Sequence, residues 1–180
     1  MNKARKIAIV GATGMVGQSF LKLLENDYFR ESEVSLLASS NSAGKHINFR
    51  GVDHKVQDLS QYDFSDTDFA LFSAGSTVAS SYAPIAVNQG CLVIDNSSCF
   101  RYEADIPLVV PEVNGHILKN FNAPGIIANP NCSTIQMLVA LKPLHDEFVI
   151  ERIDVTTFQA VSGTGKLATE ELINLSLIHI

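Results

Sequence analysis

The sequence predicts an α/β chain: a doubly wound parallel sheet, followed by the start of an α+β unit. Three observations carry this. Short apolar, β-rich runs alternate with stretches of helical spacing along most of the chain, the pattern of βαβ units with right-handed crossovers. The first such run leads straight into a glycine-spaced turn and a helix. After residue 148 the pattern changes to a long apolar/polar alternation, which suits an antiparallel sheet in a second unit.

Taken in order, "KIAIV" (6–10) reads as a buried strand, and Met15 to Leu24 carries apolar residues at helical spacing. "EVSLLA" (33–38) and "DFALFSA" (68–74) are strands, and "STVASSYAPIAVNQG" (76–90) is a helix stopped by Gly90. "CLVIDN" (91–96), "PLVV" (107–110) and "GIIAN" (125–129) follow as strands, and "STIQMLVALKPLHDEF" (133–148) as a helix. "VIERIDVTTFQAV" (149–161) is expected to be a long alternating strand, and "TEELINLSLIHI" (169–180) has a helical pattern without a cap. Because a natural C-terminus rarely stops inside an apolar run, the chain reads as the first part of a longer protein. Residues 1–131 would form the sheet domain, and 132–180 the incomplete beginning of the next.

Composition narrows the function classes. The 180 residues are 46% apolar and 18% charged, as in an ordinary globular protein. A net charge of −6 without a Lys/Arg cluster argues against nucleic acid and anionic membranes as partners. No apolar window reaches membrane-spanning length, and the basic start lacks a secretory core. Cys91, Cys99 and Cys132 form an odd set without CxxC spacing, so neither a disulfide framework nor a metal site is expected. A reducing cytoplasm fits best.

Gly11-Ala-Thr-Gly14-Met-Val-Gly17 directly follows the first strand and opens the first helix. These glycines permit a tight turn, close backbone approach to a pyrophosphate, and close helix–sheet packing. The helix N-terminus offers free N–H groups to phosphate. A Rossmann-like dinucleotide site is therefore expected on Gly11, Gly14 and Gly17, rather than a plain strand–turn–helix corner. Beyond the second strand, where a ribose-binding carboxylate belongs, "LASSNSAGK" (37–45) supplies hydroxyls, an amide and Lys45. The absence of a carboxylate there favours NADP over NAD.

Cys132 lies beside the capping residues Ser133 and Thr134, at or next to a helix N-terminus. Dipole and unpaired N–H groups favour a thiolate at such a position. The alternatives are a buried structural cysteine or an ordinary cap. Cys91, at a strand start, and Cys99, in a serine-rich loop, fit the structural role.

With glycine loop and thiol in one chain, the sequence resembles the aspartate-semialdehyde dehydrogenases. The likeness runs along the whole chain through "GATGMVG", "LASSNSAGK", "DNSSCFRYEADIPLVVPEVN", "GIIANPNCSTIQM" and "FQAVSGTGK". Reductases of N-acetylglutamyl phosphate share the layout but usually have Gly-Cys-Tyr at the thiol, and glyceraldehyde-3-phosphate dehydrogenases usually have Ser-Cys-Thr-Thr. The resemblance implies NADPH-dependent reduction of aspartyl phosphate to aspartate semialdehyde through a thioester on Cys132, in lysine, threonine, methionine and diaminopimelate biosynthesis. It implies that Arg101 binds phosphate and that Gln159 orients substrate beside the thiol. It implies further that Thr13, Gly14, Met15 and Val16 form the pyrophosphate turn, that Ser162 and Gly163 touch the cofactor, and that Asn41 and Ser42 meet the 2′-phosphate. Asn41 stands where relatives often carry arginine. The resemblance also implies a homodimer when full length, and an α+β catalytic/dimerisation domain beginning at Cys132. The family's acid–base histidine, substrate-carboxylate arginine and a phosphate-binding lysine would lie beyond these residues, and none of the five histidines here fits that role. A non-catalytic dinucleotide-binding module is the alternative from another class.

Overall fold

A computed structural model describes residues 4–178. Its centre is a six-stranded, wholly parallel sheet. The strands are β1 (Lys6–Val10), β2 (Glu33–Ala38), β5 (Gln57–Asp58), β6 (Phe69–Phe72), β7 (Leu92–Asp95) and β8 (Gly125–Ala128), in the spatial order β5-β2-β1-β6-β7-β8. Strand order reverses between β1 and β6, so the chain winds outward first on one side and then on the other. The carboxyl edge at that reversal is where such sheets bind ligands. A separate antiparallel pair, β3 (His46–Phe49) and β4 (Val52–Lys55), stands between β2 and β5 in sequence.

Helices cover both faces. α1 (Met15–Leu24) belongs to one buried cluster, in which Leu21 and Leu24 join Ile7, Ile9, Leu36, Phe49 and Val56. α2 (Ser76–Asn88) belongs to the other: its Ala79, Ala83 and Ala86 meet Ala8, Val10, Leu37, Phe64, Phe72 and Val93. Small alanines let α2 approach the strands closely, and the bulk on that face comes from Phe64 and Phe72, whose rings stack 6.5 Å apart. α3 (Pro111–Asn114), α4 (Cys132–Phe148) and α5 (Lys166–Ile178) follow. α4 runs 17 residues and has no buried side chain.

The limits of β1, β2 and the first helix match those expected from sequence. Two expectations do not hold. "PLVV" forms no strand: a single parallel bridge joins Leu108 to Ala128, because Pro111 starts α3 before a ladder can grow. The long strand expected over 149–161 is also absent. Residues 149–160 have no regular structure, and the side chains of 151–160 are exposed. No described segment lies alongside to accept their ladder bonds, and an alternating strand without a neighbour has nothing to stabilise it. "TEELINLSLIHI" does lie in a helix as far as Ile178; His179 and Ile180 fall outside the described residues.

The β3–β4 hairpin was not anticipated. Its two-residue turn, Arg50-Gly51, has positive φ at both positions (54° and 75°), the geometry that follows strand twist best. Arginine is an unusual occupant of the first, but its side chain accounts for it. The guanidinium donates to the carbonyls of Leu24, Phe29, Arg30 and Ser32 at 2.5, 2.6, 3.0 and 3.0 Å, and stacks 4.6 Å above the Phe49 ring. One planar fork thus caps the end of α1 and ties the hairpin to the α1–β2 connection. Arg50→Ala is expected to lower unfolding stability by about 2–3 kcal/mol, since it strands carbonyls beside a charged donor's vacated place. Urea denaturation measures this; a midpoint within error of wild type would show that water replaces the guanidinium without loss.

Candidate active site

A cleft of about 880 Å³ opens at the carboxyl edge of the sheet, across the point where strand order reverses. Its floor is the turn after β1: Val10, Gly11, Thr13, Gly14, Met15 and Val16. Gly11 has φ +91°, and a Cβ there would stand 3.0 Å from the Ser73 backbone carbon and hydroxyl. Gly17 does not line the cleft. A Cβ at Gly17 would come 2.3 Å from the Gly11 carbonyl oxygen and 2.8 Å from Ala12 Cα, so this glycine lets α1 sit directly on the turn. The N–H groups of Gly11 and Ala12 both reach the Leu37 carbonyl (2.9 and 3.1 Å), which ties the floor to β2.

Neither helix that faces the cleft is capped by a side chain. Gly14 precedes α1 and Gly75 precedes α2, without a capping hydrogen bond or an acidic residue in either first turn. Two helix N-termini therefore present N–H groups and positive dipole ends to one space, which suits a diphosphate. The remaining walls come from Ala38, Ser39 and Ser40 at the end of β2; Asp58, Leu59 and Ser60 at the end of β5; Ser73 to Gly75 after β6; Val78 and Tyr82 on α2; Asn96 and Ser97 after β7; and Ser162 to Gly165. Volume, glycine clearances and paired helix ends fit a dinucleotide.

Ser162 and Gly163, expected at the cofactor, line this cleft. Asn41 and Ser42 do not: they lie in the turn just past Ser39 and Ser40, where the Ser42 N–H bonds the Ser39 carbonyl and Lys45 Nζ donates to Ser42 Oγ at 3.4 Å. Sequence reasoning missed Asp58, Ser60, Val78 and Tyr82. β5 is only two residues long, too short for any alternation to reveal, so nothing marked its end as a strand terminus.

Cys132 is the first residue of α4, exposed, with Asn131 as N-cap: the Asn131 side chain accepts from the Ser133 N–H at 3.0 Å. Its Sγ lies 3.9 Å from Asn131 Oδ1 and 4.0 Å from Ser133 Oγ. The other thiols differ. Cys91 is fully buried, and burial, with Asp68 nearby, pushes it up to about 12; burial also raises Cys99, followed by the charges of Asp95 and Glu103.

Arg101 is held rather than solvated. Its Nε donates to the Asn129 carbonyl at 2.9 Å and its Nη2 to the Asn96 carbonyl at 3.2 Å. The Asn129 side chain donates to that of Asn96, and the Asn129 N–H to the Asp95 carbonyl at 2.8 Å. Buried Asp95 accepts from the Ser97 N–H and hydroxyl. This network binds the loop after β7 to the turn that delivers Cys132. Gln159 lies apart on the exposed segment, donating to Thr157 Oγ1 at 3.3 Å; no hydrogen bond joins it to Cys132 among the described residues. No described histidine lines the cleft. His46 pairs with Asp53, His54 packs edge-on to Phe49, and His145 accepts from the Ile150 N–H. His179 lies outside the described residues.

The model of the semialdehyde dehydrogenase NAD-binding domain matches residues 6–121, and that of the semialdehyde dehydrogenase dimerisation domain matches 141–177. The aspartate-semialdehyde dehydrogenase of Legionella pneumophila is 55% identical over 173 residues, 96% of this chain and 50% of that protein. The structure of Vibrio cholerae aspartate semialdehyde dehydrogenase II complexed with ASA is 51% identical, with a TM-score of 0.91 over 96% of this chain and 52% of that one. The Candida albicans enzyme with NADP is 32% identical, with a TM-score of 0.69 over 82% of this chain and 48% of that one. The chain thus spans about half the length of the curated relatives it matches. It belongs to the semialdehyde dehydrogenase family, and within that family it resembles the aspartate-semialdehyde dehydrogenases.

Proposed function

We propose that this chain is the cofactor-binding and nucleophile-bearing part of an NADPH-dependent aspartate-semialdehyde dehydrogenase, acting on aspartyl phosphate in the cytoplasm within amino-acid biosynthesis. The observation that carries the reading is the placing of Cys132. The one exposed thiol among the three opens a helix at the carboxyl edge of the sheet whose neighbouring strand ends wall the dinucleotide cleft.

In this reading the Cys132 thiolate attacks the acyl carbon, and the carbon–oxygen bond to phosphate breaks with its electrons on phosphate. The cleft residues would hold NADPH, whose chemistry would be to supply a hydride for the carbonyl of the resulting thioester. Cys132 then leaves with the carbon–sulfur electrons, freeing the aldehyde; a thiolate serves both as nucleophile and as leaving group. Cys132 opens the first turn of α4 and is exposed, so its sulfur can be reached by a substrate. Arg101, with Nε and Nη2 on backbone carbonyls, has Nη1 free of hydrogen bonds among the described residues and able to meet the phosphate. Gln159 would orient substrate once its segment is folded over the thiol, and Asn41 and Ser42 would lie against the 2′-phosphate at the mouth of the cleft. Residues from 132 onward would open the catalytic and dimerisation domain, completed by the part of the relatives that this chain does not match. The whole enzyme would be a homodimer.

Three outcomes are expected. Near neutral pH, iodoacetamide should label Cys132 well before Cys91 and Cys99, whose raised values keep them as thiols; peptide mapping after a brief exposure reads this, and even labelling would remove the activated-thiol role. NADPH should bind more tightly than NADH, and Asn41→Asp should cut the ratio on the order of tenfold by setting a carboxylate against the 2′-phosphate. An unmoved ratio would place 2′ recognition elsewhere. Finally, the 180-residue chain should bind NADPH yet not reduce NADP with phosphate and aspartate semialdehyde, because the family's acid–base and carboxylate-clamping groups would lie in the half of the relatives that it does not match. Turnover at the rate of a full-length relative would mean that a base lies within these residues. Binding without thiol reactivity would favour the non-catalytic cofactor module.

A further inference from the structure

The outer end of the cleft holds a carboxylate that the reaction does not use. Asp58 ends β5, in parallel register with Ala38 at the end of β2, and both line the cleft. Its Oδ1 is committed: it accepts from the Ser60 N–H at 2.9 Å and the Ser60 hydroxyl at 2.8 Å, capping the short turn that follows. Its Oδ2 has no hydrogen bond among the described residues. Beside it, Leu59, Val78 and Tyr82 supply an apolar wall, and Ser39 and Ser40 the opposite polar lip.

Resting on the dinucleotide reading above, we propose that Asp58 selects the base: its free carboxylate oxygen accepts the exocyclic amine of adenine, whose faces lie against Leu59, Val78 and Tyr82. Position separates this from a ribose contact. The diphosphate belongs at the α1 N-terminus above β1, and the ribose at the end of β2. Asp58 stands one strand further out, about 4.8 Å beyond β2. Chemistry points the same way. An ionised carboxylate only accepts hydrogen bonds, so it matches the amino group of adenine and opposes the carbonyl that hypoxanthine or guanine puts there. A carboxylate set against a 2′-phosphate would instead exclude the cofactor proposed for this cleft.

The test uses the 180-residue chain, with NADPH and its hypoxanthine counterpart titrated by nicotinamide fluorescence and NADH titrated alongside as the control for the ribose. Wild type should bind the adenine form about tenfold more tightly. Asp58→Asn should bring that ratio to about one, because the amide can present its N–H₂ to a carbonyl. Asn caps as well as Asp, so the turn should survive, and thermal melting checks it. Ser60→Ala, which removes one cap bond and keeps the carboxylate, should retain the adenine preference. If wild type binds both ligands equally, or the Asn variant keeps the full preference, Asp58 does not read the base. If the substitution changes only the NADPH-to-NADH ratio, it acts on the ribose and the proposal is overturned. If wild type binds neither ligand, the dinucleotide reading itself falls and the inference with it. The wild-type ratio alone decides the matter should the variant not fold.

Discussion

The backbone of α1 rests on the backbone of the turn that precedes it, and the cleft depends on that contact. It exists because Gly17 has no Cβ to drive against the Gly11 carbonyl. Once α1 is seated, its open N-terminus points along the carboxyl edge of the sheet. The same turn is hydrogen-bonded to Leu37 on one side and closes against Ser73 on the other. Three strand ends are therefore gathered by one stretch of seven residues, Gly11 to Gly17. The turn's clearance is spent on proximity of main chains rather than on side-chain contacts, and this is why its sequence tolerates so little bulk.

How much of this was legible follows from what each segment packs against. β1 and β2 are read directly, since their buried stretches, Ile7 to Val10 and Leu36 to Ala38, are apolar throughout and leave unbroken runs. The glycine loop is legible because its spacing is itself the geometric requirement. β5 and the hairpin are not. A two-residue strand has no period, and the Arg50-Gly51 turn hides behind an arginine whose fitness for a left-handed position comes from four distant carbonyls. Arg101 was likewise expected as a ligand for phosphate alone, while its two bonds to main-chain carbonyls depend on β7 and β8 lying side by side. Such groups are chosen by tertiary contacts, which leave no local mark.

The segment over 149–160 shows the converse. Its alternation is strong and was read as a strand, yet a strand is a property of at least two segments. Val155 and Phe158, 63% and 99% exposed, lie on a stretch that nothing described pairs with or covers. α4 is comparable: Val139, Leu144 and Phe148 face outward from a helix with no buried side chain. Periodicity in both records the burial that these residues require, and residues 141–177 are the stretch that matches the semialdehyde dehydrogenase dimerisation domain.

The strand order also has a meaning in time. β1 leaves the ribosome first and lies at the centre of the finished sheet, yet β6, its neighbour on one side, begins about 60 residues later. Until then the β1–α1–β2 unit carries one raw edge, and everything from β2 to β6 must be synthesised while that edge waits. At about 5–20 residues per second the interval lasts several seconds, far longer than a local βα element needs to form. The hairpin and its arginine clasp belong to the part made during the wait. They hold the early half together locally, so that the growing chain crosses back over β1 to a surface that is already formed.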